Sequence, residues 1–150
     1  MREIIFRGKR KDTGEWIYGD LFHHAYGIDN GEYISIAGHT NVNPFNYDVQ
    51  LETIGQYTGF KDRNNKMIFE GDIVDVLDPN FEKVGRGEIE LLDEWGLWYV
   101  DSVPSFQEDL EHGKCNQANN GLGDILYENY VEIIGNIHDN HELLKEKHPA

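Results

Sequence analysis

The sequence predicts a mainly β fold: antiparallel hairpins, a small SH3-like barrel or sandwich in the middle and second half, and one or two short helices. Three observations point there. Apolar residues alternate or cluster in short runs at 3–6, 15–22, 33–37 and 67–77, which suits half-buried strands better than helices. Turn formers separate the runs: Asp12-Thr13-Gly14, Asp29-Asn30-Gly31, Asp62-Arg63-Asn64-Asn65 and Glu94-Trp95-Gly96 supply residues that tolerate positive φ or hydrogen-bond their own backbone. With 16 glycines, 39% hydrophobic and 12% aromatic residues, the composition is that of a turn-rich globular chain.

Taken in order, the first half reads as hairpins. The densest pattern, IGQYTGFKDRNNKMIFEGDIVDV at 54–76, is arranged to fold back on itself through its charged turn. Gly71 is expected to permit a sharp bend or bulge, and Asp72 to cap exposed amides beside it. A loop over 78–87 then leads to EIELL, a turn and LWYVD, so that three strands follow in meander order with the curvature of a small barrel. Ser105 and Glu108 stand at capping-box spacing, Phe106 and Leu110 lie one turn apart, and Gly113 supplies a stop, which predicts a short helix. KCNQANNGLGD at 114–124 reads as a polar loop and YVEIIGNI at 130–137 as a strand. Asn140 is placed to cap a final helix, HELLKEKH, with Leu143 and Leu144 facing the body. KDTGEWIYGDLF at 11–22 and KDRNNKMIFEGDIV at 61–74 share an order of charged turn, strand and Gly-Asp. Similar turns demand similar residues, so the likeness does not require a duplication. At 150 residues the chain buries roughly 70% of its unfolded surface. It reads as an N-terminal hairpin region, 1–60, and a barrel-like region with a short C-terminal helix, 61–150, together one compact unit.

The net charge of −15 comes from 13 basic and 28 acidic residues, which disfavours direct nucleic-acid binding. The imbalance is uneven: residues 1–75 hold 8 basic and 12 acidic groups, whereas 76–150 hold 5 and 16. Cys115 is the one cysteine, so no internal disulfide and no CxxC zinc pair can form, and a reducing compartment is expected. MREIIFRGKRKDTGEW lacks the apolar core of a secretory signal, and no run has the eighteen or so apolar residues of a membrane span. The expectation is a soluble, cytoplasmic protein with no membrane partner.

REIIFRG leading to Trp16 and GDL, the central IGQYTGFKDRNNKMIFEGDIV and the terminal VEIIGNIHDNHELL resemble the YopX family of phage and prophage proteins. The blocks reach both ends of the chain, and the central one is the most specific. The resemblance implies a small, mainly β protein encoded by a bacteriophage or prophage and located in the host cytoplasm. It assigns no activity and no catalytic residue to any position. The family's closing motif often has proline where this chain has His141, a departure that alters how the last helix starts.

Candidate chemistry is sparse. Glu70, Asp72 and Asp75 form the nearest thing to a carboxylate cluster, but on a strand Glu70 and Asp72 share one face and Asp75 takes the other, so a structural role is expected. His138 and His141 could share a metal on one helical turn with Asp139 or Glu142, yet the strand-to-helix junction is expected between them and no third ligand follows from spacing. The adjacent pair His23-His24 reads as solvated surface, and His39, His112 and His148 complete the seven histidines. His112 with Cys115 lacks the third orienting group of a cysteine hydrolase. Neither TGFKDRNNK nor GRGEIE completes a phosphate-binding loop, and no GxSxG elbow occurs. Arg7, Lys9, Arg10 and Lys11, followed by Trp16 and Tyr18, form either a charge-plus-stacking contact for nucleic acid or an exposed hairpin tip. Trp95, Trp98 and Tyr99 surround a turn where a small core cannot take all three, which suggests an interface. Open strand edges also favour a homo-oligomer. The function expected is that of a noncatalytic phage accessory protein, self-associating and binding a host or phage protein, with no cofactor and no catalytic, cofactor-binding or metal-ligating residues. The rival readings are an acidic DNA mimic that inhibits a host nuclease or DNA-binding protein, and a small metal-dependent hydrolase.

Overall fold

The computed structural model describes residues 3–24, 33–38, 46–92, 97–102 and 121–144, which fold mainly as antiparallel strands in two sheets. The chain divides into two compact units, Met1–Gly59 and Phe60–Ala150.

In the first unit, β1 (Phe6–Lys9), β2 (Trp16–His24), β3 (Tyr33–Gly38) and β4 (Asn46–Asp48) form an antiparallel meander, and β5 (Gly55–Lys61) pairs with the other side of β1. The first hairpin closes as its residues dictate. Gly14 takes φ 74 and its N–H reaches Arg10 O at 2.9 Å, while Thr13 Oγ1 accepts the Glu15 N–H at 3.2 Å. The far end of the meander is then stitched back to β1. Arg10 and Val49 form an antiparallel bridge, Lys11 N donates to Asp48 O and Gln50 N to Lys9 O, both at 2.9 Å. A 3-10 turn, Leu51–Thr53, follows, and the buried Thr53 hydroxyl donates to Gln50 O at 2.6 Å while accepting the Lys9 N–H at 2.9 Å. Ile36 and Val49 are fully buried, and they meet over Gly8, where a Cβ would stand 3.1 Å from Val49 Cβ and 3.3 Å from Ile36 Cδ1.

The second unit begins with the end of β5, turns into β6 (Met67–Phe69) and continues through β7 (Asp72–Leu77), β8 (Lys83–Leu92), β9 (Leu97–Ser102), helix α1 (Leu122–Glu128) and β10 (Tyr130–Asn136). Its antiparallel sheet has the order β10-β7-β8-β9. Ile68, Val74, Val76, Ile89, Leu122, Ile125 and Val131 form its buried core, with Leu126 and Ile133 packed against them. Each such aliphatic side chain contributes about 1.5–3 kcal/mol relative to exposure.

The mainly β class and the β7-β8-β9 meander follow the sequence pattern. The barrel does not: among the described residues β9 and β10 are the outer strands of an open sheet. Helix α1 was hidden because its start lies in a segment rich in Asn and Gly. Leu122, Ile125 and Leu126 nevertheless keep i, i+3, i+4 spacing and supply the buried stripe, while Gly123 is close enough to Phe60 for a Cβ to stand 3.5 Å from the ring. Strand β8 starts at Lys83 rather than Glu88, because Gly85 and Gly87 pair with Val76 and Val74 although they contribute no apolar pattern. The C-terminal helix is a 3-10 turn, His141–Leu144, within the described residues. Asn140 does not act as a side-chain cap for it; its Oδ1 accepts the Asn136 N–H at 3.3 Å, an approach that Gly135 makes possible, since a Cβ there would stand 2.6 Å from that oxygen. The expected helix around Ser105 to Gly113, and residues 114–120 of the expected loop, lie outside the described residues. No helix among the described residues is long and apolar enough to cross a membrane.

Gly71 has φ 90 at the junction of β6 and β7; its N–H donates to Ile89 O and its carbonyl accepts the Ile137 N–H, both at 2.9 Å. Gly71→Ala forces an L-residue into left-handed backbone and is expected to lower unfolding stability by about 1–2 kcal/mol, read from the urea midpoint at unchanged m-value.

Candidate functional site

Asp62 opens the turn between β5 and β6 and is buried, 6% exposed. Its Oδ1 accepts the Asn64 and Lys66 N–H groups at 2.8 and 2.9 Å, closing the turn, while Oδ2 accepts the Ile133 N–H of β10 at 3.1 Å. One residue on, Arg63 N donates to Val131 O at 2.8 Å. The turn therefore occupies backbone groups on β10 that an edge strand would otherwise present for pairing.

The carboxylates singled out in the sequence do similar work. Asp72, 2% exposed, accepts the Phe69 N–H at 2.8 Å across the Glu70-Gly71 turn. Asp75 is held by Arg86, Nε to Oδ1 at 2.7 Å and Nη2 to Oδ2 at 3.3 Å, with Lys83 Nζ 3.8 Å away. Arg86 Nη1 also reaches Leu143 O at 3.2 Å, which fastens the closing 3-10 turn to the sheet. Glu70 lies in the turn and does not join Asp72 and Asp75 in one cluster. Among the described residues no three His, Cys, Asp or Glu side chains are placed to share a metal ion.

His138 lies in the turn after β10 and His141 opens the 3-10 turn, so His138 is part of the strand-to-helix junction and not on its strand side. The His138 N–H donates to Asn136 Oδ1 at 3.0 Å, and His141 is exposed. His39, His112, Cys115, His148 and Trp95 lie outside the described residues, as do the side chains of His23, His24, Trp98 and Tyr99.

The basic hairpin is self-engaged. Register places Arg7 opposite Tyr18 and Lys9 opposite Trp16 on one face. The Arg7 guanidinium stands 4.8 Å and the Lys9 ammonium 5.4 Å from the Trp16 ring centroid. Arg10 lies 3.9 Å over the Tyr47 ring and donates to both Asp12 oxygens, Nε to Oδ1 at 2.9 Å and Nη2 to Oδ2 at 2.7 Å. That hydrogen bond holds the Asp12 carboxyl below its ordinary value of 3.8. Lys11, Asp12, Tyr47 and Asp48 line an open cavity of about 270 Å³ beside it.

A half-exposed ledge in the second unit is absent from the sequence reading. The Arg63 guanidinium lies 4.6 Å from the Phe81 ring centroid, and Phe81 stacks on Tyr130 at 4.8 Å with an interplanar angle of 31°. Phe81 is 52% exposed and Tyr130 42%. Phe81 also takes φ 63, a left-handed conformation for a bulky residue. The available signal was an aromatic residue directly after the turn formers Asp78-Pro79-Asn80.

Fold and site together define a small antiparallel β protein whose aspartates cap backbone amides and whose second unit presents a cation–aromatic ledge. The chain belongs to the YopX family: the family model described as YopX protein matches residues 5–145. Among solved structures it is similar to protein EF1440 from Enterococcus faecalis, at 25% identity and a TM-score of 0.54, over 96% of this chain and 99% of that one. No curated protein matches it.

Asp62→Ala is expected to destabilise the chain by about 1–3 kcal/mol and to accelerate amide hydrogen exchange at Ile133 and Lys66 well beyond the global change, because these part-buried donors lose their acceptor. Arg10→Gln is expected to return the Asp12 carboxyl towards its ordinary value in an NMR titration. The native Asp12 value is depressed, so its contribution is present above the ordinary carboxylate range and disappears as pH falls through the depressed value.

Proposed function

We propose that the chain is a noncatalytic accessory protein of a bacteriophage or prophage, acting in the host cytoplasm, which self-associates and binds a protein partner. The observation that carries this reading is the ledge of Arg63, Phe81 and Tyr130, half-exposed side chains of the types enriched at protein interfaces. Family membership supports the phage setting. The engagement of Asp62, Asp72 and Asp75 with amides and Arg86 supports a structural role for these aspartates over acid–base chemistry. A second reading is favoured by the net charge of −15: an acidic surface that occupies the DNA site of a host nuclease or DNA-binding protein.

Affinity capture from host lysate with the full chain as bait separates the two. At about 0.15 M salt the screening length is about 8 Å, and at about 1 M it is about 3 Å. The interface reading expects a protein captured at both; a phosphate mimic loses its partner at the higher salt. A pure preparation that hydrolyses model phosphoesters or peptides, with the activity co-eluting with the chain, overturns the noncatalytic reading.

A further inference from the structure

Two turns of the second unit share one construction. Asp62 and Asp78 each accept, through Oδ1, the N–H groups two and four residues on, and each donates its own N–H to the carbonyl four residues on. The residue three positions on is left-handed in both: Asn65 at φ 64 and Phe81 at φ 63. Asparagine adopts that backbone readily, whereas a bulky residue is strained there. The turn between β7 and β8 therefore does not require phenylalanine, and the strain is borne by a side chain whose ring stands half in solvent.

We infer that the Arg63–Phe81–Tyr130 ledge is a two-fold interface that seats a second copy of this chain. The inference rests on the self-associating reading above and assigns it a surface. Charge selects the occupant. In a chain of net charge −15, copies repel over most orientations, but Lys61 at the end of β5 and Arg63 and Lys66 in the turn that follows are all exposed. In the chain, Glu82 directly follows Phe81 and Glu128 precedes Tyr130 by two residues, and both are exposed. Exposed groups of both signs in the segments that carry the rings allow one copy to pair opposite charges with another. Under a two-fold axis the basic turn of each copy meets the carboxylates of the other, and the rings meet between them.

Sedimentation equilibrium of the full chain over a protein dilution series tests this, with thermal unfolding of each variant as the control for folding. The expected result is a dimer at about 0.1 M salt that weakens as salt rises. Phe81→Asn, which suits the left-handed backbone, is expected to keep the fold and raise the dimer dissociation constant about tenfold or more. Arg63→Glu is expected to do the same, and the pair Arg63→Glu with Glu82→Arg to recover part of the loss. A dimer unchanged in Phe81→Asn and Arg63→Glu overturns this surface while self-association stands. A parent chain that stays monomeric throughout the series overturns self-association itself. A lower unfolding midpoint in Phe81→Asn with an unaltered dimer constant assigns the ring to folding alone and also overturns the interface.

Discussion

The carboxylate of Asp62 is the constraint on which the second unit turns. It is almost removed from water, and it holds ionic hydrogen bonds from its own turn and from Ile133 on β10. Bonds of this kind are roughly twice as strong as neutral ones, and losing the acceptor leaves three part-buried N–H groups without the partner that closes the turn and holds β10. β10 is an outer strand and supplies Val131 to the core, so whatever fixes its outward side also fixes the register that buries Val131. The hairpin turn does this from outside, with one side-chain bond and the Arg63–Val131 backbone bond.

Polar clamps of the same kind recur along the chain. Asp72 closes the step from β6 into β7, and Arg86 joins Asp75 of β7 to the carbonyl of Leu143. Thr53 serves the first unit with a neutral hydroxyl in place of a charge. A small core leaves strand ends close to solvent, where apolar packing is thin and water competes for backbone groups. Short side chains that accept or donate at a fixed distance hold such ends without needing volume. The acidic composition thus has two origins: aspartates that serve the backbone, and exposed carboxylates that set the field.

Much of the fold was legible because its punctuation is chemical. Gly71 and Asp72 announced a bend and a cap, and both are found. Asp12-Thr13-Gly14 announced a turn with a residue suited to positive φ, and Gly14 takes φ 74 there. What escaped depends on pairing at a distance. Lys83 to Gly87 shows no strand pattern alone and becomes strand because Val74 and Val76 need partners. Helix α1 is short and contains a glycine, and its apolar stripe makes sense only against the sheet that it covers. The ledge was invisible for a similar reason: Arg63, Phe81 and Tyr130 come from three separate segments. Sequence reasoning sought exposed aromatics at Trp95, Trp98 and Tyr99, where they crowd along the chain, whereas here they crowd only in space.

The stitch between Lys9 and Thr53 has a bearing on how the polypeptide leaves the ribosome. The two residues are 44 apart. At about 5–20 residues per second that interval lasts about 2–9 seconds, whereas a hairpin such as β1–β2 forms in about 1–10 μs. The nascent chain thus completes its first ribbon almost at once and then carries an unpaired flank of β1 for nearly the whole time the rest of that unit is being translated. The stretch from Val49 to Gln56, which bridges Arg10, bonds Lys9 and opens β5 against Phe6 and Arg7, ends that exposure.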